Sequence, residues 1–313
     1  MVTKLHRDAL RSDIASIEGL LARSDRNDPL GSLSLRARLH ALRLQLEEIE
    51  AAPATRANVA LVFDGAPVKG SSAIDADFAG AALQDYQDLV TRQVAAVVGG
   101  GLGTRGPISA QIKNQSRLNI TALVHGSFGF LLEEDDGGQQ TFVETTTQLA
   151  VQSVTDLLKG VSDPDGRWFH DHLAELDVRL FNGLRTFVGT MHKAGATLKL
   201  SEENRDLRLS PADVERAYER ISEVEVDESE ESYSGELLGI VPIARRFEFR
   251  TDEGEVISGR VAENLSADYL ERLEREEQIA AKGWRAVVRR KTITRLDGRQ
   301  GSSNFVLIDL VPS

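Results

Sequence analysis

The chain contains no cysteine, and this absence removes disulfides, thiolate nucleophiles and Cys-ligated zinc together. It fits a reducing or metal-poor compartment. Long apolar runs are missing as well: nowhere do eighteen apolar residues follow one another, so no segment has the make-up of a membrane span. The first residues, MVTKLHRDALRSD, scatter charges where a secretory signal would place an apolar stretch. Positive charge is in short supply. With 37 Lys and Arg against 49 Asp and Glu, the net charge of −12 excludes a protein that coats nucleic acid or an anionic membrane with its whole surface. It leaves room for a local basic patch. These features point to a cytoplasmic protein, in which the sequons at Asn114, Asn119 and Asn264 are accidental.

What is present begins with leucine. Leu35, Leu39, Leu42, Leu46 and Ile49 recur at alternating steps of four and three, which average 3.5 residues and hold one apolar seam toward a partner along a helix. This helix is expected to start near Ser34 and end by Pro53. Ahead of it Leu10, Ile14, Ile17 and Leu21 share one face of a helix over 4–24, and Arg26-Asn27-Asp28-Pro29 breaks the two apart. Two apolar-striped helices joined by a short loop make an antiparallel hairpin. Such a hairpin packs either on its own body or on a second subunit or partner.

Between 53 and 222 the pattern is mixed. The apolar run 58–63 reads as a strand closed by Asp64-Gly65. Asp75 caps a helix whose inner side carries Phe78, Ala82, Tyr86, Leu89, Val90, Val94 and Val97. Ser109, Gln111 and Lys113 alternate as in a strand. Leu118, Ile120, Ala122 and Val124 alternate as the buried side of another, and 128–132 follows as a third. Helices are expected over 144–159, ended by Gly160, and over 168–192, ended by Gly195; 196–200 reads as an edge strand, and Ser210-Pro211 opens a further helix. Strands and helices without regular alternation indicate an α+β domain. The acidic segment 223–232 reads as a linker. Beyond it five short strands, at 235–243, 247–251, 256–261, 284–293 and 304–311, with one helix over 266–281, suggest a small closed barrel of OB or SH3-like type. The expected organisation is therefore a coiled-coil-like hairpin over 1–52, an α+β domain over 53–222, the linker, and a barrel over 233–313.

Several motifs invite a chemical reading. Gly101, Gly103 and Gly106 match a dinucleotide pattern, but that loop cradles pyrophosphate only between a strand and a helix that begins inside it. Here Val94 and Val98 read as the last turn of a helix, so 99–106 is a connector. His125 and Ser127 lack the glycine spacing of a nucleophile elbow and an orienting acid. The glycines around Phe128 instead mark a bulge or a close backbone approach. His170 and His172, two apart on a helix, diverge by about 200°. Glu133, Glu134, Asp135 and Asp136 form a solvated acidic turn, or a hard-cation site.

In the barrel Arg285, Arg289, Lys291 and Arg295 stand at even spacings, so one side of a strand carries them all, with Trp284, Tyr233, Phe247 and Phe249 supplying rings. Against a nucleic-acid footprint, 230–313 holds 13 basic and 15 acidic residues, a net of −2. No catalytic group, metal or cofactor emerges. The leading expectation is a non-enzymatic interaction or scaffold protein whose hairpin seam oligomerises or docks a protein partner. The alternatives are nucleic-acid binding by the barrel and a nucleotide-using enzyme centred on the glycine loop.

Overall fold

The computed structural model describes residues 4–23, 29–51, 55–98, 106–124, 128–135, 143–173, 176–202, 205–262, 265, 270–271, 283–295 and 302–312. Its described residues form eight helices and several sheets, a mixed α+β chain. Helices α1 (Lys4–Arg23) and α2 (Pro29–Ala51) lie against each other, with Leu10 and Ile17 of α1 buried. Glu18 and Arg43 pair across them at 2.6 Å. Helix α2 starts five residues ahead of Ser34. Pro29 opens it instead of breaking it, because a helix's first turn needs neither the missing N–H nor any φ but proline's own.

An antiparallel five-stranded sheet follows, in the order β4-β5-β1-β6-β7. Its centre is β1 (Asn58–Gly65), flanked by β5 (Phe128–Glu134) and β6 (Ala196–Ser201), with β4 (Leu118–Val124) and β7 (Asp206–Leu209) at the edges. Two short strands, β2 (Val68–Lys69) and β3 (Ala73–Ile74), form a separate ribbon. Val59, Leu61 and Phe63 of β1 enter one core with α3 (Ala76–Val98), α5 (Thr146–Ser162), α7 (Val178–Lys193) and α8 (Pro211–Ser222). The caps are as the residues ask: Asp75 accepts from the Phe78 N–H at 2.8 Å, and Ser210 and Asp213 close a capping box. Gly195 takes φ +59° after α7. Gly129 marks a close approach, since a Cβ there would stand 2.8 Å from the Leu61 carbonyl oxygen.

Five local expectations are corrected. Residues 110–115 are a short helix, α4 (Ala110–Gln115), because Ser109 accepts the Ile112 N–H and so caps it, which the polar alternation concealed. The long helix over 168–192 is two, α6 (Arg167–His172) and α7. Asp177 accepts from the N–H groups of Arg179 and Leu180 and starts a new helix in mid-pattern. Helix α5 runs through Gly160 to Ser162, the glycine serving to let the Trp168 indole lie against the helix. Strand β4 is an edge strand with Ile120 exposed, and Val97 at the end of α3 is exposed too.

The C-terminal strands are β8 (Val224–Val241), β9 (Arg246–Thr251), β10 (Val256–Val261), β11 (Trp284–Arg295) and β12 (Ser302–Pro312), and they close on themselves in the order β10-β12-β11-β8-β9. Leu237, Phe247, Phe249, Ile257, Leu270, Trp284, Val288 and Leu307 fill the interior. Of the helix expected over 266–281, only Leu270 and Glu271 are among the described residues. The acidic linker is corrected: 224–232 is the first half of β8, paired along its length with β11. Opposite charge supplies the reason, since Glu228 faces Lys291 and Glu230 faces Arg289 across the ladder. Val224, Val226 and Ile293 at this end of the ladder belong to the core of the helices, not to that of the barrel.

Gly160 yields a test. In an open helix Gly→Ala stabilises by about 1 kcal/mol. Here a Cβ overlaps the Trp168 ring, so Gly160→Ala is expected to destabilise by about 1–3 kcal/mol in urea unfolding. A stabilised variant would show that the indole gives way.

Candidate functional site

The hairpin seam is in place. Leu35, Leu39, Leu42 and Leu46 are half-buried on α2, the helix that lies against α1, while the Ile49 side chain falls outside the described residues. The hairpin thus uses much of its seam on itself. A second set of leucines remains outside: Leu20 of α1 is 54% exposed, and Leu33 and Leu44 of α2 are 66% and 51% exposed. Leu33 and Leu44 are three turns apart on one face, and at about 100° per residue that face points away from the seam. The buried Leu10 and Ile17 belong to neither core.

The basic residues of β11 do not share an open face. Arg285, Arg289 and Lys291 do lie on one side of the strand, opposite the inward Trp284, Ala286 and Val288, but that side becomes covered along the strand, where Lys291 and then Ile293 are buried. Arg285 is exposed. Arg289 pairs with Glu228 at 3.0 Å and Glu230 at 3.6 Å. Lys291 is buried, its Nζ donating to the carbonyls of Leu173, at 2.6 Å, and Leu176. Arg295 has its backbone in β11 and its side chain outside the described residues. Trp284, Phe247 and Phe249 all point into the barrel, leaving no stacking platform of these rings. Lys291 therefore holds the barrel's long ladder to the α6–α7 turn, and Arg289 ties β11 to β8 within the ladder. Arg185 of α7 supports the same junction, donating to the Val224 carbonyl at the start of β8. Buried beside this turn, Glu228 has its carboxyl raised above the ordinary value by desolvation, against the pull of Arg289.

A basic face missed by that reading lies on β9 and β10. Arg246, Glu248 and Arg250 of β9 and Val256, Ser258 and Arg260 of β10 are exposed, and Arg246 stands directly opposite Arg260. The signal was legible in the alternation Arg246-Phe247-Glu248-Phe249-Arg250: rings turned inward require the charges between them to turn outward.

The remaining motifs separate. Gly106 is exposed at φ +108°, whereas Gly101 and Gly103 lie outside the described residues, as do His125 and Ser127. Val98 ends α3, and among the described residues the next helix begins at Ala110. His172 stacks on Trp168 at 4.4 Å, and its Nδ1 sits 2.8 Å from the Trp168 carbonyl oxygen. Glu133 and Glu134 are anchors, not solvated acids. Glu134 accepts from the Ala57 N–H and the Thr145 hydroxyl, and Glu133 from Asn58 at 2.5 Å. Among the described residues no group of three His, Cys, Asp or Glu side chains is placed to hold a metal ion.

One polar cluster escaped the sequence altogether. Glu202, at the end of β6, is 1% exposed and accepts from Thr155 of α5 through one oxygen, while its Oε2 has no partner. Tyr86 of α3 is fully buried with its hydroxyl unpartnered. Burial pushes both groups up, and the charge of Glu202 adds to the shift at Tyr86. In sequence this acid sits in Ser201-Glu202-Glu203-Asn204, which has the composition of an ordinary surface turn. In the core of the helices a cavity of about 10 Å³ lined by Leu158, Phe187, Met191 and Val214 is apolar and barely water-sized.

No protein-family model matches this chain, nor does any curated protein or solved structure. The geometry alone carries the reading.

Because the folded-state pKa of Glu202 is raised, the folded chain binds its proton more tightly than the unfolded chain. This carboxyl thus costs stability as pH rises through that raised value, and the cost disappears below the unfolded value. Glu202→Gln is expected to be more stable than the natural chain near neutral pH, with the gap closing as pH falls, in urea unfolding across a pH series. A gap that widens on acidification would reverse the assignment.

Proposed function

We propose that this chain is a non-enzymatic, multi-domain interaction protein that assembles with itself or docks a protein partner through its N-terminal hairpin. The observation that carries the reading is the second apolar face of α2: Leu33 and Leu44 are exposed on one side of it, turned from the seam, with Leu20 of α1 exposed as well, on a module whose buried leucine and isoleucine join neither core. A helix that is apolar on two sides is built to be covered twice. The α+β body and barrel then act as the scaffold behind it. Leu33→Glu with Leu44→Glu is expected to abolish capture of whatever binds the full chain, or to lower its mass in light scattering, while circular dichroism of the body is unchanged. Identical mass and identical capture in the variant would end the proposal.

A second reading places nucleic acid on the barrel, and one observation favours it. The ring runs first, second, third, fifth, fourth strand, with the third and fifth parallel, an arrangement of OB type. The face that such modules present on their second and third strands carries Arg246, Arg250 and Arg260 here. Single-stranded RNA and DNA are expected to bind at low salt and weaken as salt rises, with Arg246→Glu and Arg260→Glu lowering affinity and flattening that slope. No binding at low salt disposes of this reading.

A further inference from the structure

The two edges of the central sheet are unlike. Strand β7 has four residues and carries Asp206 and Arg208, the short, charged kind of edge that resists pairing. Strand β4, Leu118-Asn119-Ile120-Thr121-Ala122-Leu123-Val124, has seven residues with no charge, proline or glycine. Among the described residues it pairs on one side only, with β5, so its other side presents backbone N–H and C=O groups to no strand of this sheet. The pairing with β5 slips between Ile120 and Ala122, and the slip returns Leu123 to the face that holds Ile120: Ile120 stands opposite Leu132, and Leu123 opposite Phe130. Leu132 lies in the core and Phe130 packs against it, yet Ile120 and Leu123 are 56% and 57% exposed. The core face of the sheet thus runs out past its helices as an apolar ledge along an unpaired edge.

We infer that β4 pairs with β4 of a second copy of this chain, antiparallel about a two-fold axis, joining two five-stranded sheets into one of ten strands. The backbone edge calls for an extended strand, and charge selects which one. A foreign strand is chosen by pockets for its alternate side chains, whereas β4 offers a ledge. A second copy brings the matching ledge and no charge, so Ile120 and Leu123 of each copy close on those of the other. Direction follows from β5. Glu133 and Glu134 lie beside Asn119 and Leu118, so an antiparallel seam sends the two acidic ends apart, and a parallel one sets them side by side. With the axis between Thr121 and Ala122, Ile120 meets Leu123 and Asn119 meets Val124 of the other copy, an isologous contact. The inference does not rest on the hairpin, which lies elsewhere in the chain.

Sedimentation or light scattering of the full chain across a concentration series is expected to give twice the 34.3 kDa of one chain. Ile120→Lys with Leu123→Lys is expected to return it to one, with far-UV circular dichroism unchanged. A natural chain that stays monomeric, or a dimer that survives the lysines and yields to Leu33→Glu and Leu44→Glu, overturns the inference. Should the lysine variant misfold, the cysteine-free sequence provides a second measurement. Thr121→Cys introduces the chain's one thiol, and mild oxidation is expected to give a disulfide-linked dimer on a non-reducing gel. A chain that stays unlinked refutes the seam.

Discussion

The β8–β11 ladder is the constraint on which the rest of the molecule depends. Along one half it is a wall of the barrel; along the other, Val224, Val226 and Ile293 are packed into the core of the helices. A single pair of strands therefore belongs to two hydrophobic cores, and neither can be completed without it. The polar contacts at the crossing follow from this. Lys291 is carried under the α6–α7 turn, where the carbonyls of Leu173 and Leu176 face it, and Arg185 meets the Val224 carbonyl from the other side. A buried ammonium left unpaired costs far more than one held by carbonyls and neighbouring acids. Glu228 and Asp177, whose charges reach one another here, stand beside that lysine for the same reason.

This ladder is also where reading composition locally misleads. A run such as Glu223-Val224-Glu225-Val226-Asp227-Glu228 has the charge density of a linker. It also has the alternation of a strand with valines on one side, and its partner, Arg289-Arg290-Lys291, lies about sixty residues away. Each run alone repels itself, whereas the two together neutralise across the ladder. Complementarity at long range is invisible to any window that sees only one of the two.

What was legible came from periodicity and caps. The strand at 58–63, the Asp75 helix, the Ser210 capping box and the two N-terminal helices all stand in local sequence, because each depends on residues within a few turns of one another. What was not legible depends on context. Asp177 divides a helix whose leucine spacing runs on unbroken. Gly160 reads as a stop, but its missing side chain makes room for Trp168. On β11 the even spacing does set Arg285, Arg289 and Lys291 on one side of the strand, but only the fold shows that β8 acids and the α6–α7 turn cover Arg289 and Lys291, while on β9 the period that turns Phe247 and Phe249 inward turns Arg246 and Arg250 out. Glu202 gave no signal, since only the fold decides whether a turn acid faces water or a buried tyrosine.

The body and the hairpin are held by different amounts of the same force. The helices of the body bury Phe63, Tyr86, Phe181, Phe187 and many aliphatic neighbours in one continuous core. Among the described residues of the hairpin only Leu10 and Ile17 are hydrophobic and fully buried. Each fully buried aliphatic side chain stabilises by about 1.5–3 kcal/mol, and in proteins most of a helix's stability comes from packing its apolar face. The ion pair between Glu18 and Arg43 is exposed and adds little. Two long helices with so little under them gain most from whatever covers Leu20, Leu33 and Leu44. The apolar residues left outside thus answer a deficit inside, and burying them on a partner would order the hairpin and bind the partner in one step.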